Sequence, residues 1–515
     1  MSLGEAAFQR VEQFAERVAF HRTGTWFGLG LLVLLVRGAL LPLWPIPTPT
    51  IYDEFSYLLG ADTFAHGRLT NPTHKLWPFF EAPYVLQHPT YATKYPPAAS
   101  LAMAAGQVLL GHPWFGVWLS CGAMMAALVW AMQGWLPSRW ALFGGALALP
   151  LAIVSYWMNS YWGGAVTALG GALLLGGYAR VVKRKQARYA VAMGIGIALL
   201  ANTRPYEGLV FSIPVAIAFL WSRPGWRAAV VLALVLIPAF AATGYYNRAV
   251  TGNPAQMPFT EYARQYAYIP LFNFQPLGTS KVYRTSVLYD LHQNWERSEW
   301  EKARSWQLLR IRSRDWKNAA SNILGGVAPV VLILLFARDL WRDRRIRLPL
   351  MCGAAVLAGS LIEVRYYQHY AGPATAALFI VAVQAVRHLR LWRPPYGRVL
   401  ARAFPVLVVG AALAPQAWVI VRQPTPSGPG NGLRGQVTQS LMDQGGKHVI
   451  LVHYTGAQSP HEEWVYNSAD IDAQDVIWAN DLGSSENAAL VEYYKDRKIW
   501  RFQPDIDPRW LDPYE

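Results

Sequence analysis

Two adjacent carboxylates, Asp53 and Glu54, follow the first long apolar run of the chain and begin a loop rich in aromatic residues. A carboxylate that is partly desolvated at a membrane surface has its pKa raised toward the range in which it accepts a proton from a hydroxyl group. The pair is therefore a candidate for general-base catalysis. The alternative is structural, because acidic residues also stabilise helix N-termini, here that of a helix predicted from Phe55 to His66.

The elements that must position these residues are membrane helices. Of the 515 residues, 53% are apolar and 15% are charged, whereas soluble domains carry about 25% charged residues. The formal net charge of +15 does not indicate nucleic-acid binding, because the basic residues form short clusters between apolar runs, as in the positive-inside rule. Cys121 and Cys352 lie within apolar runs, so we expect no disulfide and infer no compartment from them.

Eleven apolar segments approach the length of about 20 residues that spans a bilayer. They are residues 24–44, 114–133, 141–158, 161–181, 189–203, 206–222, 227–247, 321–337, 348–364, 366–386 and 403–421. If the further run 98–111 does not span, the basic clusters all fall inside and the short outward turns carry only Arg204 and Arg365. We therefore expect eleven spans, with the N-terminus inside and the C-terminus outside.

The remaining segments complete the predicted domain organisation. Residues 1–23 predict an amphipathic helix on the cytoplasmic interface, and residues 24–422 a membrane domain with outer loops 45–97 and 248–320. Residues 423–435, rich in Pro and Gly, predict a linker. Residues 436–515 predict a small extracytoplasmic α/β domain. Its strands are expected at 448–454, 476–478 and 498–502, and its helix at 486–496. The fold class is thus an all-α polytopic membrane domain with a small C-terminal α/β domain.

Four short patches occur in a defined order along the membrane domain. They are Arg37 followed by Asp53-Glu54-x-x-Tyr57, then Lys94-x-Pro96-Pro97, then Thr203-Arg204-Pro205-Tyr206-Glu207-Gly208, and finally Arg365-Tyr366-Tyr367-Gln368-His369-Tyr370. Their order and depth resemble the C-type glycosyltransferase superfamily, above all the protein O-mannosyltransferases and the lipid A aminoarabinose transferases. The resemblance covers residues 25–390. One departure is Asn159, at an outward turn where many relatives carry a second acid.

The resemblance implies a C-type fold of about 11 spans with juxtamembrane helices. It also implies a reaction in which a sugar leaves a polyprenyl phosphate for an acceptor hydroxyl on the outer face, with inversion. By match to the first acid of the family pair, Asp53 is the expected base. Glu54 would bind acceptor or sugar hydroxyls.

The leaving phosphate requires positive charge, which Arg37, Lys94, Arg204 and Arg365 would supply from the outer ends of spans. The alternative for each is that its side chain snorkels toward water. The other expected substrate-binding residues are Tyr57, Asn159, Glu207, Tyr366 and His369.

The remaining predictions concern a metal cofactor, the partners and the location of the protein. His66, His74, His88 and His461, together with Glu462 and Glu463, lack the tight spacing of a closed zinc site, so no metal ligand is assigned and a divalent metal stays open. The donor partner is a polyprenyl-phosphate-linked sugar, the acceptor is a glycan, lipid or protein, and no nucleic acid is expected. The expected location is a bacterial inner membrane.

Two other function classes remain. One is a transporter of a lipid-linked or anionic solute, with Arg37 and the outer arginines as its binding site. A transporter requires charged or broken helices near the bilayer midplane, whereas this chain keeps its polar residues at one end of the spans. The other is a surface assembly protein whose C-terminal domain binds a partner. The enzyme is favoured.

Overall fold

The computed structural model describes residues 3–422, 431–455, 461 and 463–514. Residues 3–422 form a helical part. Two long segments interrupt its apolar helices, residues 45–96 and 252–323, and are called the first and second outer segments after their predicted side of the membrane. The residues after 431 form an α/β domain that packs against the first outer segment.

The helical part begins with an amphipathic helix and continues with mostly apolar helices. In chain order these are α1 (Leu3–Phe20), α2 (Arg22–Ala39), α3 (Tyr52–Ala65), α4 (Pro97–Leu110), α5 (Trp114–Trp135), α6 (Ser138–Ile153), α7 (Ala165–Tyr178), α8 (Ala190–Ala201), α9 (Pro205–Ser222) and α10 (Trp226–Thr251). The first outer segment contains α3 and the short antiparallel strands β1 (Val85–Leu86) and β2 (Ala92–Thr93).

The second outer segment contains shorter helices and leads back into apolar ones. These are α11 (Pro258–Gln265), α12 (Ser286–Tyr289), α13 (Glu296–Ala303), α14 (Leu308–Leu324), α15 (Val327–Leu335), α16 (Ala337–Arg342), α17 (Arg347–Gly359), α18 (Thr375–Leu391) and α19 (Tyr396–Arg422).

Within the described residues, six helices are long and apolar enough to cross a membrane, or eight if two bent pairs each count as one span. Shorter apolar helices occur at α4, α6, α8 and α17. These helices are those of a multi-pass membrane protein, and the count of eleven stays a prediction. The predicted span 321–337 is not a single helix, because α14 and α15 meet at 110°. The bend lies at Gly325 and Gly326, whose φ values of 78° and 143° favour glycine.

Close packing of α4 fixes the start of that helix against α3. Pro97 occupies its first turn, where the missing N–H is not needed and φ is already helical. A Cβ at Gly106 would lie 2.0 Å from the backbone N of Gly116, so glycine at 106 lets α4 and α5 meet at backbone contact. The Ser100 hydroxyl on α4 donates to the Tyr57 carbonyl oxygen on α3 at 2.9 Å. The residues just before α4 are thereby held beside the first turns of α3.

The α/β domain is built on a four-stranded sheet of order β4-β3-β5-β6. Its elements are α20 (Asn431–Gln444), β3 (His448–Val452), β4 (Val476–Asn480), α21 (Ser484–Tyr493), β5 (Lys498–Phe502) and β6 (Leu511–Pro513). β3 pairs in parallel with β4 and β5, whereas β6 is antiparallel to β5. Every residue of β3 is buried, as in parallel strands that are covered on both faces.

The sequence predicted β3, β4, β5 and α21 within a few residues, and did not predict α20 or β6. α20 begins inside the predicted linker 423–435, so residues 431–435 are helical. Residues 423–430 lie outside the described residues.

The α/β domain docks on the first outer segment through side-chain and backbone contacts. The rings of Phe55 and Tyr466 stack with centroids 4.3 Å apart, and the Ala469 N–H donates to Asp62 Oδ2 at 2.8 Å. The buried Asn480 amide donates to two carbonyl oxygens of residues 79 and 81. The helix that carries Asp53 is thus clamped between the membrane helices and the C-terminal domain.

Candidate active site

A cavity of about 620 Å³ lies between α3, the residues before α4, the start of α9 and the second outer segment. Its charged lining residues are Asp53, Lys94, Arg204, Glu207, Glu363 and Arg365. Another part of its wall is apolar and consists of Leu209, Met257, Phe259, Leu271 and Phe272. A cavity with opposite charges and an apolar wall suits a ligand that has both an ionic and a hydrocarbon part.

Asp53 lines this cavity from the first turn of α3. The Tyr95 hydroxyl donates a hydrogen bond to its Oδ1 atom, which fixes the direction of the carboxylate. Burial raises the pKa of Asp53, and the positive charge of Lys94 opposes this rise. A carboxylate with these properties is suited to accept a proton from a hydroxyl group.

Glu54 does not line the cavity but completes the N-terminus of α3. Its Oε2 accepts from the Thr50 N–H, the Thr50 hydroxyl (2.9 Å) and the Ile51 N–H (3.2 Å). Its Oε1 accepts from the Tyr161 N–H at 2.9 Å. With both oxygens engaged and the residue 1% exposed, Glu54 supports the start of α3 in a positioning role, and its predicted substrate-binding role stays a prediction.

Arg37 and Asn159 bind each other instead of reaching the cavity. Arg37 Nε donates to Asn159 Oδ1 at 3.1 Å, and its terminal nitrogens donate to the carbonyl oxygens of Trp44 and Pro45. Arg37 is fully buried. The Asn159 amide therefore joins the outward turn to the end of α2. Neither side chain lines the cavity, and their substrate-binding roles stay predictions.

Lys94 occupies a cage of aromatic rings at the cavity wall. Its Nζ lies 2.9 Å from the ring centroid of Tyr84 and about 5 Å from those of Tyr95, Phe259 and Tyr262. Burial lowers the pKa of Lys94, while the negative charges of Asp53 and Glu296 oppose this decrease. The ammonium group is thus held by ring faces and carboxylates, with little access to water.

Glu296, at the start of α13, is a residue that the sequence did not single out. It forms an ion pair with Arg365, and its Oε2 lies 2.8 Å from His292 Nδ1. Burial disfavours its carboxylate, but Arg365 and His292 outweigh burial and lower the pKa of Glu296 below its usual range. The sequence signal that could have identified Glu296 is its i, i+4 spacing from His292, which brings the two side chains together on one face of a helix.

The other predicted residues are divided between the cavity and its surroundings. The Arg204 guanidinium lies 4.2 Å from the ring centroid of Tyr370, and Glu207 and His369 also line the cavity. Tyr57 does not line the cavity. Its ring stacks on that of the lining residue Tyr95, with centroids 4.1 Å apart. Tyr366 lines an adjoining cavity of about 360 Å³, which shares Trp162, Arg365, Tyr367 and His369 with the first.

Comparison with solved structures places this arrangement in a known fold. The chain is similar to ArnT from Cupriavidus metallidurans bound to undecaprenyl phosphate, with a TM-score of 0.52 and 14% identity over 93% of each chain. The apo form of ArnT gives a TM-score of 0.50 at 15% identity over 93% of each chain. The chain has the C-type glycosyltransferase fold. This confirms the predicted resemblance at the level of fold.

The C-type glycosyltransferase fold also appears in a more distant comparison. An Archaeoglobus fulgidus oligosaccharyltransferase in complex with zinc and sulfate gives a TM-score of 0.50 at 12% identity, over 92% of this chain and 68% of that one. No protein-family model and no curated protein sequence matches the chain.

The histidines considered for a metal site each have a different surrounding. His66 lies 3.4 Å from Asp62, His74 lies 3.2 Å from Asp472, and His88 contacts the Trp77 ring. His461 lies 3.0 Å from the Tyr52 hydroxyl at the cavity, and Glu463 accepts from two backbone N–H groups. Glu462 lies outside the described residues. Among those described, no group of three or more His, Cys, Asp or Glu residues is arranged to hold a metal ion.

The adjacent acids Asp53 and Glu54 should respond differently in a stability experiment. Glu54→Gln leaves buried N–H donors unsatisfied and should destabilise the protein by about 2–4 kcal/mol. Asp53→Asn keeps an acceptor for the Tyr95 hydroxyl and leaves no backbone N–H unsatisfied, so it should destabilise the protein less than Glu54→Gln does. Thermal unfolding of the two purified variants in one detergent measures the difference. Equal melting temperatures would contradict the positioning role of Glu54.

Proposed function

We propose that the protein is an integral membrane glycosyltransferase that moves a sugar from a polyprenyl phosphate to an acceptor hydroxyl. The observation that supports this most is the assembly of Asp53, Lys94, Arg204 and Arg365 around one cavity with an apolar wall. These residues come from four separate sequence patches, and only the fold brings them together.

The cations are suited to the phosphate of the donor. Lys94, Arg204 and Arg365 line the cavity from three different elements, so a phosphate among them would be contacted from several sides. Preorganised cations stabilise the negative charge that develops on the phosphate as its bond to the anomeric carbon breaks. ArnT, which shares the fold, was crystallised with undecaprenyl phosphate, and this supports a carrier of that class.

Asp53 is the proposed base. The acceptor hydroxyl attacks the anomeric carbon from the face opposite the phosphate, its proton passes to the Asp53 carboxylate, and the phosphate leaves with the bonding electron pair. One displacement inverts the anomeric configuration. The Tyr95 hydroxyl keeps the carboxylate in one orientation, which a proton transfer in a confined site requires.

The apolar wall gives the carrier chain a route from the bilayer. Leu209 is 62% exposed at the outer end of α9, and Met257 and Leu271 beside it are each 37% exposed. A hydrocarbon chain that lies along these residues would remain in the lipid while its phosphate enters the cavity. The charged groups of the cavity lie at one end of the helices and not at their centres. This distribution favours the transferase over a transporter.

The orientation in the membrane is also part of the proposal. The distribution of the basic clusters supports an N-terminus in the cytoplasm. The cavity and the α/β domain lie on the other, extracytoplasmic side of an inner membrane.

Substitution of the base and of the arginines should separate their roles. Asp53→Asn should lower kcat by at least about 10²-fold, because general-base catalysis contributes about 10²–10⁴-fold. Arg204→Ala and Arg365→Ala should raise KM for the donor, because each removes a charge-assisted contact with the phosphate.

The donor for these assays is the polyprenyl-phosphate sugar that accumulates in a strain lacking the gene, and release of polyprenyl phosphate is the measured product. The acidic control is Glu301→Gln, because Glu301 is exposed and pairs with Arg297 on the outer face of α13. This control should retain wild-type turnover. Near wild-type turnover by Asp53→Asn would exclude Asp53 as the base.

The pH dependence of kcat/KM should be bell-shaped. Burial raises the pKa of Asp53, so the active carboxylate is lost as pH falls, at a higher pH than for an exposed aspartate. Burial lowers the pKa of Lys94, so its charge is lost as pH rises, at a lower pH than for an exposed lysine. Lys94→Arg should move only the alkaline limb, to higher pH, because guanidinium stays charged. An unmoved alkaline limb would mean that Lys94 does not cause it.

A further inference from the structure

Two acidic residues of the cavity have no part in the steps described so far. Glu207 and Glu363 line the same cavity as Asp53 and are 6% and 2% exposed. Among the described residues, neither carboxylate forms an ion pair, and Oε2 of Glu363 is buried without a hydrogen-bond partner. A buried carboxylate oxygen without a hydrogen-bond partner is unfavourable, so a ligand that supplies a hydrogen-bond donor to Glu363 would compensate for it.

The backbone that carries Glu363 is fixed from two sides. Residues 271–273 pair with residues 362–364, through the Val364 N–H to the Leu271 carbonyl oxygen (3.0 Å) and an antiparallel bridge at Phe272. From α14, the buried Arg312 guanidinium donates to the Glu363 carbonyl oxygen at 2.5 Å. The position of this carboxylate is therefore built into the fold and is not that of a mobile surface side chain.

The neighbour of Glu207 is fixed in the same region. The Tyr206 hydroxyl donates to the Gly359 carbonyl oxygen at 2.8 Å, and its ring packs against Phe272 with centroids 4.9 Å apart. α9 and the segment that follows α17 are thereby joined beside the two carboxylates. Glu207 and Glu363 thus lie where the charged part of the cavity lining meets the apolar residues Leu209, Leu271 and Phe272.

The charge of the two residues restricts the chemistry of their ligand. A phosphate would be repelled by two carboxylates, so it belongs with Lys94 and Arg365. Arg204 interacts electrostatically with both Glu207 and Glu363 and so connects the phosphate side with the acidic side. A sugar joined directly to a phosphate that Arg204 binds would lie next to the acidic side, and its hydroxyl groups are hydrogen-bond donors.

We propose that Glu207 and Glu363 form a subsite for the hydroxyl groups of the sugar carried by the donor. This inference rests on the proposed function. The carboxylate oxygens accept hydrogen bonds from the sugar and, with Arg204, orient the anomeric carbon toward Asp53. The subsite contributes to recognition of the sugar and not to binding of the carrier phosphate.

Binding measurements with full-length protein in nanodiscs separate the two contributions. The probes are undecaprenyl phosphate alone and undecaprenyl phosphate that carries glucose, mannose, galactose or arabinose. At least one glycosylated probe should bind the wild type more tightly than the bare carrier. Glu363→Gln should weaken binding of that probe by about tenfold, the effect of one hydrogen bond to a charged group. The same variant should bind bare undecaprenyl phosphate as tightly as the wild type or more tightly.

Two variants control for folding and for loss of charge. Glu207→Gln tests the second carboxylate in the same way without touching the segment held by Arg312. Glu301→Gln removes an exposed acid on α13 and should leave both affinities unchanged. Melting temperatures show which of the variants are folded. If Glu363→Gln does not fold, the binding data of Glu207→Gln alone test the sugar subsite.

The outcomes distinguish this inference from the proposed function. If both Gln variants weaken bare and glycosylated carriers equally, or if no glycosylated probe exceeds the bare carrier in the wild type, the sugar subsite is overturned. If undecaprenyl phosphate itself does not bind, or if Arg204→Ala does not weaken it, the proposed phosphate site fails instead.

Discussion

Compensation of buried charge at the edge of the membrane helices is the constraint on which the cavity depends. An isolated ion in this position would be strongly destabilising, and a partner repays the loss of hydration only in good geometry. Lys94 has the Tyr84 ring face and nearby carboxylates. Arg365 has Glu296, which in turn contacts His292. Because each charge depends on its neighbours, the elements that carry them must be held in one arrangement.

The surrounding structure supplies that arrangement through contacts that do not involve substrate. Glu54 binds the loop before α3 and the outward turn at Tyr161, and Arg37 joins the same turn to the end of α2 through Asn159. The α/β domain adds a second support from outside, by stacking Tyr466 on α3. Rigid support of this kind is what a site requires when misplacement by about 1 Å impairs catalysis. The Asn159 amide, which holds Arg37 in place, therefore supports the structure around the cavity.

The sequence predicted the features that depend on local pattern and composition. Apolar runs predicted most helices, and the Lys94, Arg204 and Arg365 patches, expected together at the outer ends of spans, line one cavity with Asp53. The sequence could not distinguish the surroundings of Asp53 from those of Glu54. The two side chains are adjacent at the start of a helix, and the direction of each depends on neighbours that pack there in the folded protein. Glu296 and Glu363 were not identified for a similar reason, since their partners come from distant segments. The bend at Gly325 was not predicted, because it depends on backbone angles and an apolar run gives no information about them.

The division of charge within the cavity has a consequence for turnover. A transferase must bind the carrier phosphate firmly enough to stabilise it as it leaves, yet must release it afterwards. Arg365 keeps Glu296 as a partner, so the site is not left with an unpaired arginine when the phosphate departs. Lys94 keeps its aromatic rings in the same way. Because the cations are already partly neutralised, the phosphate of the proposed donor would exchange one set of favourable contacts for another, and its departure would not isolate a charge in the empty cavity.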